Sequence, residues 1–397
     1  MTVSTIDLLR LLCARDAAVV PNVDAYGAPE WVVVQQAVTA WDAAPMVYTS
    51  LRETGLLAKA PRELAEAMKR DHAASTAANL RLSFEADELV SGLEKTGVKA
   101  VLLKGTALFS LGVWRDPGAR PTCDIDLLIS KNDASNVDRF LRTQGFEQAR
   151  SGGVKHLPPY GRNGVVVEVH THAFWSLSDG HRVVLDEMVD GSGRPYLGGV
   201  VAHLVHHLFE SSVTTPWLVA KTLADLAEVY SLALAGGGET ANEIAAKVRF
   251  FGLTARFEAL VGLLERVTRK SLFDVWKRSP NPREVDWLCE RAAARSSTRT
   301  EALRVLDRSA ALWRMPLREK QATLAHYFLP NTEEMRSLYG LPANSPWVWP
   351  LYAVRPIHLV GQSALDAARL IWPFRVPTGR ASDRGLDRGV IRDRRPR

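Results

Sequence analysis

"RPTCDIDLLI" (residues 120–129) sets two aspartates, Asp124 and Asp126, one residue apart in a run that is otherwise apolar. Strand alternation puts Cys123, Ile125, Leu127 and Ile129 on one face and Asp124, Asp126 and Leu128 on the other. A buried carboxylate needs a counter-charge or a metal ion to offset its loss of water. Two carboxylates at i and i+2 of a strand point the same way and can share a hard cation through oxygen. Taken alone, an Asp-x-Asp is more often a solvated strand end than a metal site, so its meaning depends on what the chain brings beside it.

Upstream, "VKAVLLKG" (98–105) is a short Val/Leu run bounded by glycine and reads as a buried strand. It follows a helix whose stripe is Leu82, Ala86, Leu89, Val90 and Leu93, with Gly97 as its stop. "TALFSLGVW" (106–114) returns to helical character, and "RDPGARPT" (115–122) is a loop. Downstream, "NDASNVDRFLRTQG" (132–145) carries a polar cap, an apolar set at Val137, Phe140 and Leu141, and a terminal glycine, which predicts a helix. "FEQARSGG" and "GRNGVVVEVHTHAF" predict strands, with "GRNG" as a turn. From about residue 198 the chain is helical again, through "VVAHLVHHLFESS", "KTLADLAEVYSLALA" and "RTEALRVLDRSAALW".

The expected architecture is α+β: an N-terminal helical segment (1–80), an α/β lobe with a mixed sheet (81–197), a helical C-terminal lobe (198–374) and a disordered basic tail (375–397). That tail holds eight arginines and three aspartates, and so carries +5 of the chain's formal +6. The near-neutral body excludes a broad nucleic-acid footprint. Three cysteines without metal spacing suit a reducing, cytoplasmic setting. The N-terminus does not read as a signal peptide, and no run reaches the ~20 apolar residues of a membrane span. Residues 355–374 read as an amphipathic helix.

"VVVEVHTHAF" (165–174) supplies a third acid, Glu168, on a face shared with His170 and His172. If its strand lies beside the Asp strand, Asp124, Asp126 and Glu168 converge. "KGT" (104–106) stands where a strand gives way to a helix, a place where glycine permits close approach of a phosphate and a hydroxyl adds a donor. The series "LLKGTALFSLGVWRDPGARPTCDIDLLI" followed by "VEVHTHAF" resembles a bacterial family of uncharacterised nucleotidyltransferases related to the DNA polymerase beta superfamily. In that pattern Gly105-Thr106 matches the helix start, Asp124 and Asp126 the strand, and Glu168 the third acid. Arg120 matches an arginine that precedes the aspartates. "VAHLVHHLFE", "LADLAEVY" and "SLYGLP…YAVRP" extend the resemblance more weakly. A threonine replaces the common serine, the third acid is Glu rather than Asp, and the gap from Gly105 to Asp124 is long for the superfamily.

The resemblance implies a polymerase-beta-like α/β lobe that moves a nucleoside monophosphate from a triphosphate, expected to be ATP, to a hydroxyl or similar acceptor with release of pyrophosphate. Two Mg²⁺ ions about 3.5–4 Å apart would be held by Asp124, Asp126 and Glu168, with Glu168 as a general base. Gly105, Thr106, Lys104 and Arg120 would hold the triphosphate, and His170 would flank the carboxylates. The acceptor would be a small molecule, peptide or protein, with no long nucleic acid as partner.

Other readings stand beside these. Lys104 can end its strand in solvent, and Arg120 can pair with Asp116. His170 and His172 can be read as zinc ligands, though no third ligand has matching spacing. His203, His206 and His207 fall at helical i, i+3, i+4 spacing, which suits a metal face or a helix packed on the lobe with one histidine toward the pocket. Asp225 reads as an internal partner for an arginine or a histidine. A protein of this fold that binds a nucleotide or a peptide without turnover is the alternative function.

Overall fold

The computed structural model describes residues 3–15, 18–149, 157–175, 182–190, 193–211, 217–235, 239–269 and 281–293, with short stretches between 329 and 357. The chain divides into one unit of residues 1–160 and 165–298 and a second of residues 161–164 and 299–397. Every candidate site residue lies in the first.

Helix α1 (Thr5–Cys13) opens on a capping box in which the Ser4 side chain and Asp7 satisfy each other's backbone N–H groups. Helices α2 (Ala28–Ala40), α3 (Ala44–Glu53) and α4 (Arg62–Lys95) follow. The expected stripe on α4 buries Leu82, Ala86, Leu89 and Leu93, each full-size side chain contributing about 1.5–3 kcal/mol of apolar burial. Gly97 stops the helix at φ +81°, a conformation that a side chain would resist.

Strand β1 (Ala100–Leu103) runs into α5 (Lys104–Ser110), then β2 (Ile125–Ile129) and α6 (Ala134–Thr143). Strands β3 (Glu147–Gln148), β4 (Tyr160–Arg162) and β5 (Val165–His170) complete a five-stranded sheet in the order β1-β2-β5-β4-β3. Asn163 and Gly164, at φ +50° and +80°, carry the paired left-handed conformation of a tight reversal, as the "GRNG" signal predicts. Strand β2 is antiparallel to β1 and parallel to β5, so the sheet is mixed. Two further strands, β6 (Phe174–Trp175) and β7 (Arg182–Val183), pair separately.

The register decides the site. Leu103 pairs with Asp126, and Asp126 pairs with Glu168, so Lys104 follows directly on a row that crosses three strands. A slip of one residue would turn Asp126 to the opposite face and break the row. Behind it, Ile125, Leu127, Val167 and Val169 are fully buried.

Helices α7 (Leu197–Ser211), α8 (Trp217–Ala235), α9 (Glu239–Phe250), α10 (Thr254–Thr268) and α11 (Pro282–Ala293) form the later part of this unit. Helices α4 and α5 pack on β1, α7 packs on α5 and α9, and α1 packs on α3, α8 and α10. Helices from before and after the sheet therefore share one core. The chain is α+β, as expected. The expected helices at 299–313 and 355–374 (apart from residues 355 and 357), the closing "SLYGLP" stretch (apart from Leu341) and the basic tail lie outside the described residues. No helix among the described residues is long and apolar enough to cross a membrane.

Candidate active site

Asp126 is the centre of the site. It is 1% exposed, and one carboxylate oxygen, Oδ1, serves two partners: Lys104 Nζ donates to it at 2.7 Å, and His170 Nε2 lies 2.8 Å away. Both nitrogens stand 3.9 Å from Glu168 Oε2. Burial alone would raise the Asp126 carboxyl, but the Lys104 ammonium and the His170 hydrogen bond outweigh it and hold the group well below the usual carboxylate range. Burial would also lower Lys104; the Asp126 charge reverses this and keeps the amine a firm cation.

Donor atoms of Asp126, Glu168 and His170 all lie within 4.8 Å of one another. Sequence reasoning placed His170 beside the site; the structure makes it a member of the group, because it sits two residues beyond Glu168 on the same face of β5. Asp124 just precedes β2 and is not part of that group. Burial, and then the neighbouring Asp126 charge, push its carboxyl up to about 6. In ¹³C-aspartate NMR of the metal-free protein, one carboxyl is therefore expected to titrate near pH 6 and to vanish in Asp124→Asn. Because its charged form is disfavoured in the fold, this group withdraws stability as pH rises from about 4 to about 6.

Lys104 itself enters α5 at φ +49°, a left-handed conformation costing roughly 1–2 kcal/mol for a residue with a side chain. Its neighbour is glycine for a steric reason: a Cβ on Gly105 would lie 2.5 Å from Arg120 Nη1 and 2.7 Å from Thr122 Oγ1. The buried Thr106 hydroxyl donates back to the Leu103 carbonyl at 3.1 Å. Gly105 and Thr106 thus build the strand-to-helix corner that aims Lys104 at Asp126.

Arg120 is buried against helix α8. Its Nε and Nη2 donate to the two Asp225 carboxylate oxygens at 2.6 and 2.9 Å, and Nη1 donates to Thr122 Oγ1 at 3.0 Å. The Trp114 indole N–H also donates to Asp225, at 2.9 Å. Asp225 is thus the arginine partner the sequence suggested. Reaching a triphosphate would require Arg120 to leave this pair. Asp116, the other partner considered for it, instead accepts from Arg52 at 2.8 Å and lies 2.9 Å from His72.

Of the three helical histidines, His203 is buried and close enough to the site for its basicity to respond to Lys104, His170 and Asp126. Burial first, then His207, hold it well below the ordinary imidazole range. Neither ring nitrogen meets a hydrogen-bond partner among the described residues. Phe174 and His207 pack their rings 6.1 Å from it. Replacing it with leucine is expected to raise the denaturant midpoint, by about 1–2 kcal/mol in stability, because two desolvated polar atoms are removed. Sequence reasoning passed over Lys221, four residues before Asp225 on the same face of α8. It is buried, pairs with Asp42 at 3.2 Å and lies 4.8 Å over the Trp217 ring. The i, i+4 spacing was the available signal.

Two carboxylates with a cation between them thus stand side by side on a mixed sheet flanked by helices. Residues 28–228, half of the chain, match the family described as uncharacterised nucleotidyltransferase, and the chain belongs to that family. No curated protein matches it. Among solved structures it is similar to the antibiotic-resistance factor ANT(2'')-Ia, a solution structure, at 11% identity and a TM-score of 0.31, over 44% of this chain and 96% of that one. That likeness is too distant to carry an argument.

The donor set fits a divalent cation. Asp126 and Glu168 offer hard oxygens and His170 a nitrogen, and the structure already places a positive ammonium among them.

Proposed function

We propose that the chain transfers a nucleoside monophosphate from a nucleoside triphosphate, ATP by expectation, to a hydroxyl on a small molecule, peptide or protein. The observation that carries this reading is the Asp126–Glu168 pair set by strand register, with Lys104 bonded to it, within a nucleotidyltransferase family member. In the reaction the acceptor oxygen bonds to the α-phosphorus, the bond from that phosphorus to the bridging oxygen breaks, and pyrophosphate leaves with the electron pair. Glu168, the more exposed acid of the pair, would take the acceptor's proton. Lys104 offsets phosphate charge, while Gly105 and Thr106 fix the corner from which it acts. Magnesium held by the Asp126 and Glu168 carboxylates, with Asp124 beside them and His170 hydrogen-bonded to Asp126, would neutralise the triphosphate and favour the alkoxide form of the acceptor.

A cleft of about 460 Å³ is lined by residues of α2, α3 and α4 and by Pro121 and Thr122. Its size is that of a small-molecule site. All three cysteines are free thiols, which suits a reducing cytosol.

The deciding experiment gives the protein ATP labelled at either the α- or the γ-phosphorus, together with an extract of the source cells. Label from the α-position should appear on an acceptor as pyrophosphate is released. Transfer of γ-label would overturn the reading, and so would nucleotide binding with no transfer of either label.

A further inference from the structure

Asp126 is already neutralised without a metal. Lys104 Nζ sits 2.7 Å from the same oxygen that His170 approaches at 2.8 Å, and 3.9 Å from the second carboxylate of the donor group. The ammonium therefore stands where a divalent ion bound by Asp126 and Glu168 would need to sit, and like charges this close beside a buried carboxylate repel. Two features make Lys104 a movable occupant. Its stem is flexible, and its side chain keeps partial contact with solvent.

We propose that Lys104 is the resident counter-ion of the Asp126–Glu168 pair, and that a nucleoside triphosphate must draw its ammonium away before the site takes a divalent cation. Nucleotide and metal then load together, and metal alone binds weakly. This rests on the nucleotidyl-transfer reading above. Its consequence is that the free protein is guarded against filling its site with whichever divalent ion is abundant. In the loaded state the same ammonium serves the phosphates.

The test uses the full chain and Mn²⁺, whose free-ion EPR signal reports binding without turnover. Lys104→Gln keeps a hydrogen-bond donor for Asp126 but removes the charge, and should bind Mn²⁺ about tenfold or more tightly than wild type in the absence of nucleotide. Adding Asp126→Asn to it should abolish that gain. Lys104→Arg, which holds carboxylates by a two-pronged contact, should bind Mn²⁺ no more tightly than wild type. If the glutamine variant does not fold, Lys104→Ala, which also removes the charge, takes its place and should show the same gain. Equal Mn²⁺ affinity of Lys104→Gln and wild type, or a tighter Lys104→Arg, would overturn the counter-ion role. A fluorescent ATP analogue separates the two ideas. If wild type binds it with Mn²⁺ while the lysine variants leave metal affinity unchanged, only the counter-ion role fails. If wild type does not bind it at all, the transfer reading fails, and the nucleotide-driven release of Lys104 fails with it.

Discussion

Asp126→Asn is expected to cut nucleotidyl transfer by about 10³-fold or more, a loss of several kcal/mol of transition-state stabilisation. The amide is nearly isosteric but cannot supply the charge that a hard cation requires. The same change should cost stability. It leaves Lys104 without its closest anion and His170 without its carboxylate, and breaking a buried pair costs about 3–5 kcal/mol. The low end of that range applies, since Lys104 keeps Glu168 at 3.9 Å and partial contact with solvent. The sign of the pH dependence follows from the depressed carboxyl. Its stabilising contribution is complete above the unfolded-state value near 3.9 and is lost as pH falls toward the folded value. Urea titrations should therefore show the variant far behind wild type at pH 7 and the gap narrowing below about pH 4. A variant with wild-type pyrophosphate release would refute the mechanism.

Asp225→Asn should produce the largest loss of stability, again about 3–5 kcal/mol, with the upper end expected because both partners are buried. Asparagine can accept from one guanidinium nitrogen or from the Trp114 indole, but it leaves the Arg120 charge uncompensated. Replacing both residues together, as Arg120→Met with Asp225→Leu, should restore much of the loss because no lone charge remains. Chemical denaturation of the two single variants and the double variant measures this directly. If Asp225→Asn alone were as stable as wild type, the buried pair would not be what anchors the loop before Asp124 to helix α8.

The sequence made local features legible wherever a local cause sufficed. The change of hydrophobic period located β1, β2 and β5, and Gly97 and Asn163-Gly164 marked the stops and turns because those backbone angles favour few residues. Asp126 and Glu168 could be named because carboxylates in apolar strands are costly. Their partners were harder to see. Nothing near Arg120 announces Asp225, 105 residues away, and nothing in "LLKGT" shows that Lys104 bends back to Asp126. Alternation makes His170 a neighbour and Asp124 a ligand because it gives a face, not the point where a strand begins. Here β2 begins at Ile125, which leaves Asp124 outside the tightest group. The Thr106 hydroxyl bonds to the Leu103 carbonyl, a local partner that the run of residues does not announce.

The row that crosses β1, β2 and β5 has a kinetic meaning as well. Lys104 and His170, the two groups on Asp126, come from positions 22 and 44 residues away, and one of the two strand pairings is parallel, a slow kind to form. The cation-binding atoms therefore meet only when the sheet is nearly complete. Divalent ions supplied together with nucleotide should leave the refolding rate of this protein unchanged and slow only its unfolding, since a ligand that finds its donors late cannot guide the search for them.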